Sequence, residues 1–262
     1  MSLVTLGTEG ALAVITLDNP PQNRIGERVA AELAAAIETV EAGDSRAVLL
    51  RARGPDFSFG GDIVDWPDMS VRQLRGTFEQ YMAVFNRFER LPLPVVAAVQ
   101  GLCFGGGLEL AIRADMIVAA ESASFCHPEQ TLGIVTLLGG VYRIAERAGR
   151  SFASEWALTS EQIPAATMMK HGVVNRVVPD SELEQSARQL ALRAAGGATR
   201  AYEAHKALLR IWAEAGVAAA DTAMFDIAMP LFETEDVRRG IPSAVDALKV
   251  GRPRPALDFQ GR

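Results

Sequence analysis

The stretch from Pro94 to Asp115, PVVAAVQGLCFGGGLELAIRAD, restricts the fold more than any other part of this sequence. Val95 to Val99 is a short apolar run, as expected of a fully buried strand. It breaks at Gly101, and three consecutive glycines follow, Gly105, Gly106 and Gly107. Leu108, Leu110, Ala111 and Ile112 then have helix-forming, mostly apolar character, so the unit reads strand, glycine turn, helix. Glycines at such a turn let the backbone approach a ligand closely, because no Cβ stands in the way. The free N–H groups of the first helical turn point at whatever sits there and favour negative charge. Glu109 lies in that turn, a carboxylate beside backbone donors at the mouth of a strand. That arrangement suits an acid/base next to an oxyanion site. An ordinary structural turn, with a Glu that complements the helix dipole, accounts for the same letters. No Gly-Lys-Ser/Thr follows, so this is not a P-loop, and the spacing is not that of the G-x-G-x-x-G dinucleotide fingerprint.

On either side the sequence alternates strands and helices. Leu3–Leu6 and Ala11–Leu17 read as a hairpin around Glu9-Gly10. Val29, Leu33, Ile37 and Val40 recur at helical spacing over residues 27–41, and Ala47–Arg51 is a buried strand. Phe57–Phe59 reads as a short strand that stops at Gly60-Gly61, where Asp62 caps or opens a short helix. Val71 to Phe88 carries large apolar residues at helical spacing and ends before Pro92. Met116–Ala119, Ser124–Cys126 and Val173–Val178 read as strands; residues 140–148 and 152–158 read as helices. From Ser181 to Leu248 four helical stretches follow without a strand, broken near Gly196-Gly197, Gly216 and Pro230. The sequence therefore divides into a mixed α/β part, residues 1–180, and a helical part, residues 181–262, which ends in a Pro-rich tail expected to be extended or loose.

With 49% apolar and 22% charged residues, the 262-residue chain has ample material for a core. A net charge of −6 without a compensating basic block argues against a nucleic-acid partner. Cys103 and Cys126 both sit in apolar sequence and read as buried free thiols of a reducing compartment. The N-terminus lacks a signal-peptide pattern and no apolar run is long enough to span a bilayer, which makes a cytoplasmic, non-membrane protein the expectation. Three widely spaced histidines do not make a metal site.

The strand–glycine junction occurs twice, at Phe57–Asp62 and at Val95–Gly107. If the two strands are neighbours, backbone N–H groups from two loops converge on one point, as a carbonyl oxygen gaining negative charge requires. Taken alone, two ordinary glycine turns explain the pattern as well. A further candidate is Glu129 in His127-Pro128-Glu129. The sequence after it, QTLGIVTLLGG, is poor in charge, so a carboxylate there would be desolvated and its pKa raised, as suits a general acid. A surface Glu in a loop is the competing reading, and His127 reads as a loop or core histidine. No G-x-S-x-G elbow is present.

Taken together, these motifs resemble the crotonase family, the enoyl-CoA hydratase/isomerase superfamily, over residues 12–250. DFSFGGDI (56–63) is similar to the family's first oxyanion loop, and QGLCFGGGLELAIRADMIVA (100–119) to its second. SFCHPEQTLGI (124–134) resembles the F-x-x-P-E-x-x-x-G segment, HGVVNRVVP (171–179) the segment ending in V-V-P, and FETEDVRRGIPSAVDA (232–247) the F-x-T-E-D tail. The resemblance implies an α/β fold built as a stack of ββα turns, with a helical C-terminal region that makes homotrimers, often hexamers. It implies that the N–H groups of Gly61 and Gly106 form an oxyanion hole for an acyl-CoA thioester, and that Ser58, Phe59, Gly60, Gly61, Asp62 and Ile63 lie along the CoA. Glu109 and Glu129 match the two carboxylates of the family's hydratases. Glu109 would then activate a water to attack Cβ of a 2-enoyl-CoA while Glu129 protonates Cα. No metal or redox cofactor is implied, since coenzyme A enters as part of the substrate.

The sequence also departs from the family pattern. After the second carboxylate many hydratases carry Pro and Gly where this chain has Thr136 and Leu137; Leu137 would add bulk beside the acyl group. Arg24 stands where a small residue is common, and Val245 stands for a Phe. These departures keep a Δ3,Δ2-enoyl-CoA isomerase, or another crotonase-type reaction, open as the alternative. A non-catalytic acyl-CoA-binding scaffold is the alternative of a different kind. Trp66, Met69 and the 71–90 helix either shape the acyl pocket or simply pack the core.

Overall fold

The computed structural model describes residues 2–261. Its main sheet has six strands: β1 (Val4–Glu9), β2 (Leu12–Leu17), β3 (Ala47–Ala52), β4 (Val95–Val99), β6 (Met116–Ala120) and β9 (Arg176–Val178), in the order β1-β2-β3-β4-β6-β9. Only the β1–β2 hairpin is antiparallel; the other pairs run parallel. β2 and β4 are buried along their whole length, which explains their unbroken apolar letters. A smaller sheet holds β5 (Leu102–Phe104), β7 (Ser124–Cys126) and β8 (Ile163–Pro164), in that order. Two turns of chain give one strand to each sheet and then a helix, and the two before them give a main-sheet strand, an isolated bridge and a helix. β4 is followed by β5 and α3 (Gly106–Ala111); β6 is followed by β7 and α4 (Gly140–Ala148). The fold is thus a stack of ββα turns.

Gly101 makes the corner between β4 and β5. Its φ is +54°, and a Cβ there would lie 2.2 Å from the carbonyl oxygen of Pro55. Only glycine fits such a corner. The helices follow from their patterns. In α1 (Glu27–Ala42) the buried face is Val29, Leu33, Ile37 and Val40 with small alanines between. In α2 (Val71–Glu89) Ser70 and Gln73 form a capping box, and Tyr81, Phe85 and Phe88 are buried.

Several expectations are corrected. Phe57–Phe59 is not a strand of its own; Ser58 makes a single parallel bridge to Cys103 and so extends the small sheet at the β5 edge. Asp62 caps no helix, because the chain runs on to a short 3₁₀ turn at Trp66–Asp68. Val173–Val178 shortens to Arg176–Val178, since the N–H groups of Val173 and Val174 instead bond the carbonyl of Met168 at the end of α6 (Ala165–Lys170). The tail has no regular structure but is docked: Gln260 and Gly261 donate their backbone N–H to the buried Asp236 carboxylate.

Between α4 and β8 lies α5 (Arg150–Thr159). The four C-terminal helices are α7 (Leu183–Ala195), α8 (Thr199–Ala215), α9 (Val217–Ala228) and α10 (Glu235–Lys249). They differ in where their apolar faces go. α7 buries Leu183, Ala187, Leu190 and Ala191 against β3, β4 and β6, so in packing terms the α/β part extends past residue 180. α8, α9, α10 and the 3₁₀ turn Met229–Glu233 before α10 leave Leu209, Trp212, Phe225, Phe232 and Leu248 exposed. Among the described residues no helix is long and apolar enough to cross a membrane.

Candidate active site

The two glycine loops meet. The bridge between Ile25 and Gly61 is parallel: Ile25 N–H donates to Gly60 O, and Asp62 N–H donates to Ile25 O. In such a bridge the flanking residues make the bonds, so the N–H of Gly61 turns to the other side. There it finds the start of α3. A Cβ built on Gly106 would lie 3.5 Å from Gly61 N, and one on Gly60 would lie 3.4 Å from Gly106 N. Among the described residues neither Gly61 N–H nor Gly106 N–H has an acceptor. Gly106 is the first residue of α3, where N–H groups have no intrahelical partner. Two unpaired donors from different loops thus stand side by side.

Both line a cavity of about 450 Å³. Phe59, Gly60, Ile63, Glu109, Glu129 and Leu137 line it too, together with Arg24, Trp66, Phe78, Cys126, Ile134 and Leu138. Ser58 and Asp62 do not. Ser58 is fully buried beneath the loop, its hydroxyl donating to Asn23 O and accepting from Gly60 N–H. Asp62 is exposed on the outer side. Met69 is not part of the lining. The cavity adjoins an apolar trough against α2, and Trp66, Phe78, Ile134 and Leu137 belong to both.

Glu109 is 2% exposed. Its Oε1 accepts from the backbone N–H of Leu138 (2.8 Å) and of Gly140 (2.9 Å), not from its own helix. The loop that donates is itself held by Arg113, a buried guanidinium that donates to Leu138 O at 2.7 Å and pairs with Glu89 at 2.9 Å. Burial above all, and then the charge of Glu129, push the Glu109 carboxyl up to about 7; the two N–H groups and Arg113 pull the other way. A carboxyl poised near neutrality can take or give a proton with little driving force lost. Thr136, which stands where many hydratases have Pro, accepts from Val141 N–H and so braces the start of α4.

Glu129 opens the 3₁₀ turn Glu129–Leu132 after β7 and is 8% exposed, so it is not a surface glutamate. Burial raises its pKa as well. Its Oε1 faces Gly105, where a Cβ would approach to 3.0 Å; its Oε2 is buried and has no hydrogen-bond partner. The sequence offered no sign of the Leu138 and Gly140 donors, which lie some thirty residues from Glu109. The one hint was Gly139-Gly140, a helix start, where N–H groups have no intrahelical partner. Cys126 is a buried free thiol on the cavity wall, with its pKa pushed up to about 11 by burial.

The chain belongs to the enoyl-CoA hydratase/isomerase family, whose model matches residues 7–250. Carnitinyl-CoA dehydratases of Salmonella heidelberg (strain SL476) and Salmonella typhimurium (strain LT2) are 36% identical to it over 216 residues, 80% of this chain and 80% of each relative. Among solved structures, an enoyl-CoA hydratase subunit from Geobacillus kaustophilus superposes with a TM-score of 0.90 at 29% identity, over 99% of this chain and 98% of that one. The enoyl-CoA hydratase of Bacillus anthracis gives 0.89 at 26%, over 99% and 100%. The protein is therefore an enzyme of the crotonase type.

Proposed function

We propose that this protein adds water across, and removes it from, the 2,3 bond of a CoA thioester, interconverting a 2-enoyl-CoA and a 3-hydroxyacyl-CoA. One observation carries the reading: two buried carboxylates line the same cavity as two unpaired backbone N–H groups. The thioester oxygen accepts from Gly61 and Gly106, which draws charge away from Cβ and stabilises the enolate that forms; one such donor is typically worth about 3 kcal/mol. In hydration, ionised Glu109 deprotonates the water that attacks Cβ, and protonated Glu129 delivers a proton to Cα. Dehydration runs the same steps backwards. Glu109 ends with the proton taken from the water and Glu129 ends one proton short, its own now on Cα, so proton exchange through solvent resets the pair. Phe59, Gly60 and Ile63 support a CoA path along the first glycine loop. The exposed apolar residues of α8 to α10 support a homotrimer or a dimer of trimers.

The test is turnover of crotonyl-CoA, followed by loss of the conjugated enoyl-thioester absorbance with identification of the product. A 3-hydroxyacyl-CoA product supports the reading. A double-bond shift in a 3-enoyl-CoA, without hydration, would support isomerisation instead. Leu137 favours that outcome, since an apolar side chain lines the cavity in which water must sit. Tight acyl-CoA binding with no turnover over a broad thioester panel would leave a binding protein. Mass measurement in solution decides the oligomeric state.

A further inference from the structure

We propose that His127 is a positioning residue for Glu129: its imidazole donates from Nδ1 to Glu129 Oε2 and leaves Oε1 free for the proton exchanged with substrate. This rests on the two-glutamate reading above.

Three observations carry it. First, His127 is 2% exposed, yet neither of its ring nitrogens has a hydrogen-bond partner. A buried imidazole without partners is costly, and native proteins rarely keep one without use. Second, Nδ1 stands 3.7 Å from Glu129 Oε2, the one carboxylate oxygen here that is buried and unpartnered. About 1 Å of side-chain movement brings the two unsatisfied atoms into hydrogen-bond range. Third, the residue is held at backbone and ring. Its main-chain carbonyl accepts from the Ser160 hydroxyl at 2.6 Å, and the ring edge packs on Gly140, where a Cβ would come within 2.5 Å of Cε1. Gly140 in turn donates to Glu109, so His127 touches the supports of both carboxylates.

Burial holds the imidazole down to a pKa of about 4, so at neutral pH the ring is uncharged and carries one N–H. It therefore donates without competing for the proton that Glu129 moves. The hydrogen bond strengthens as Glu129 becomes the carboxylate, because charge-assisted hydrogen bonds are the stronger ones. His127 exchanges no proton with the substrate and touches none of the reacting atoms.

The test uses His127→Leu, His127→Asn and His127→Gln in the full-length protein. An Asn amide nitrogen falls where Nδ1 is; a Gln amide nitrogen falls near Nε2. His127→Leu should lower kcat for the enoyl thioester about 10- to 100-fold with KM within a few-fold, as loss of a supporting hydrogen bond does at other sites. His127→Asn should recover most of that loss and His127→Gln should not. Equal behaviour of Asn and Gln, or a change confined to KM and thermal stability, would overturn the proposal. A second readout needs no turnover. In ¹⁵N-histidine-labelled protein with the unreactive thioester butyryl-CoA bound, the His127 Nδ1 resonance should be that of a protonated, hydrogen-bonded nitrogen, and it should move in Glu129→Gln. His171 and His205 serve as internal references. A signal that ignores Glu129→Gln overturns the proposal even if the protein hydrates no enoyl-CoA. A correct signal in a protein without hydratase activity would instead count against the reaction assigned above.

Discussion

The two sides of the cavity are built differently. On one side, Glu109 is held by the N–H groups of Leu138 and Gly140, and that loop is held by Arg113, which is held by Glu89. On the other side, Glu129 sits on a short 3₁₀ turn with one oxygen unpartnered. The contrast teaches that equal burial does not mean equal restraint. Both carboxylates are desolvated, but only one has its geometry fixed before substrate arrives. A group that orients a water must be placed in advance, since the water adds its own freedom. A group that delivers a proton to Cα can be completed when the thioester arrives.

The strongest way to break this comparison is to remove the charge from either side. Glu109→Gln and Glu129→Gln should each lower kcat about 10²- to 10⁴-fold. The amide oxygen at 109 can still accept from Leu138 and Gly140, so folding should survive, and a melting curve beside the kinetics separates the two effects. Near wild-type hydration in both variants would end the two-glutamate reading. Next in size is Gly140→Ala. The new methyl would meet His127 Cε1 at 2.5 Å and Glu109 Cγ at 3.0 Å, so both carboxylate supports must shift. A loss of about 100-fold in kcat is expected, with about 1–3 kcal/mol of stability lost on urea unfolding. An unchanged kcat would mean that the supports do not matter.

The third prediction concerns pH. Glu109 is raised from 4.5 to about 7 in the folded protein, so folding favours its protonated form. The stability this lends is complete below pH 4.5 and is lost as pH rises through about 7. Glu109→Gln does not titrate. Its stability relative to wild type should therefore grow by about 3 kcal/mol between pH 4.5 and pH 8, as urea unfolding at the two pH values would measure. A constant difference would place the Glu109 carboxyl in a wetter setting than its 2% exposure allows. The smallest effect is expected at Leu137, which belongs to both the cavity and the trough against α2. Leu137→Ala should raise kcat/KM for bulkier acyl groups relative to crotonyl by about tenfold. Competition assays with pairs of thioesters would detect it.

How much of this was legible in the letters depended on distance along the chain. The unit β4–glycine–α3 was readable because a buried strand and a glycine turn are local patterns, and so were α1, α2 and the order of the C-terminal helices. Of the small sheet only β7 was, as the strand Ser124–Cys126. β5 and β8 are three and two residues long, below the length at which periodicity carries a signal, and Ser58 joins β5 through a single bridge to Cys103. The pairing of Glu109 with Leu138 and Gly140 was hidden for a different reason. Backbone donors have no letter, so no residue type marks them. His127 was a histidine in an apolar loop until the fold set it against Glu129. The docked tail was hidden likewise, because Asp236 looks like one more charge at a helix start.

The two donors proposed to hold the thioester oxygen, the N–H groups of Gly61 and Gly106, belong to the backbone, and that has a consequence for inheritance. No codon change can delete an amide N–H at these positions except by writing proline. A methyl there would meet only ordinary contacts, 3.4 Å from Trp66 at Gly61 and 3.5 Å from Gly61 N at Gly106; crowding sets in at their neighbours, where a methyl at Gly107 would stand 2.6 Å from Ser58 Cβ and one at Gly60 3.0 Å from Phe104 O. Side chains around the cavity can therefore be exchanged over generations, and the acyl group with them, while the two backbone N–H groups stay. Those two donors are thus held in place by their glycine neighbours, Gly60 and Gly107, rather than by any side chain of their own.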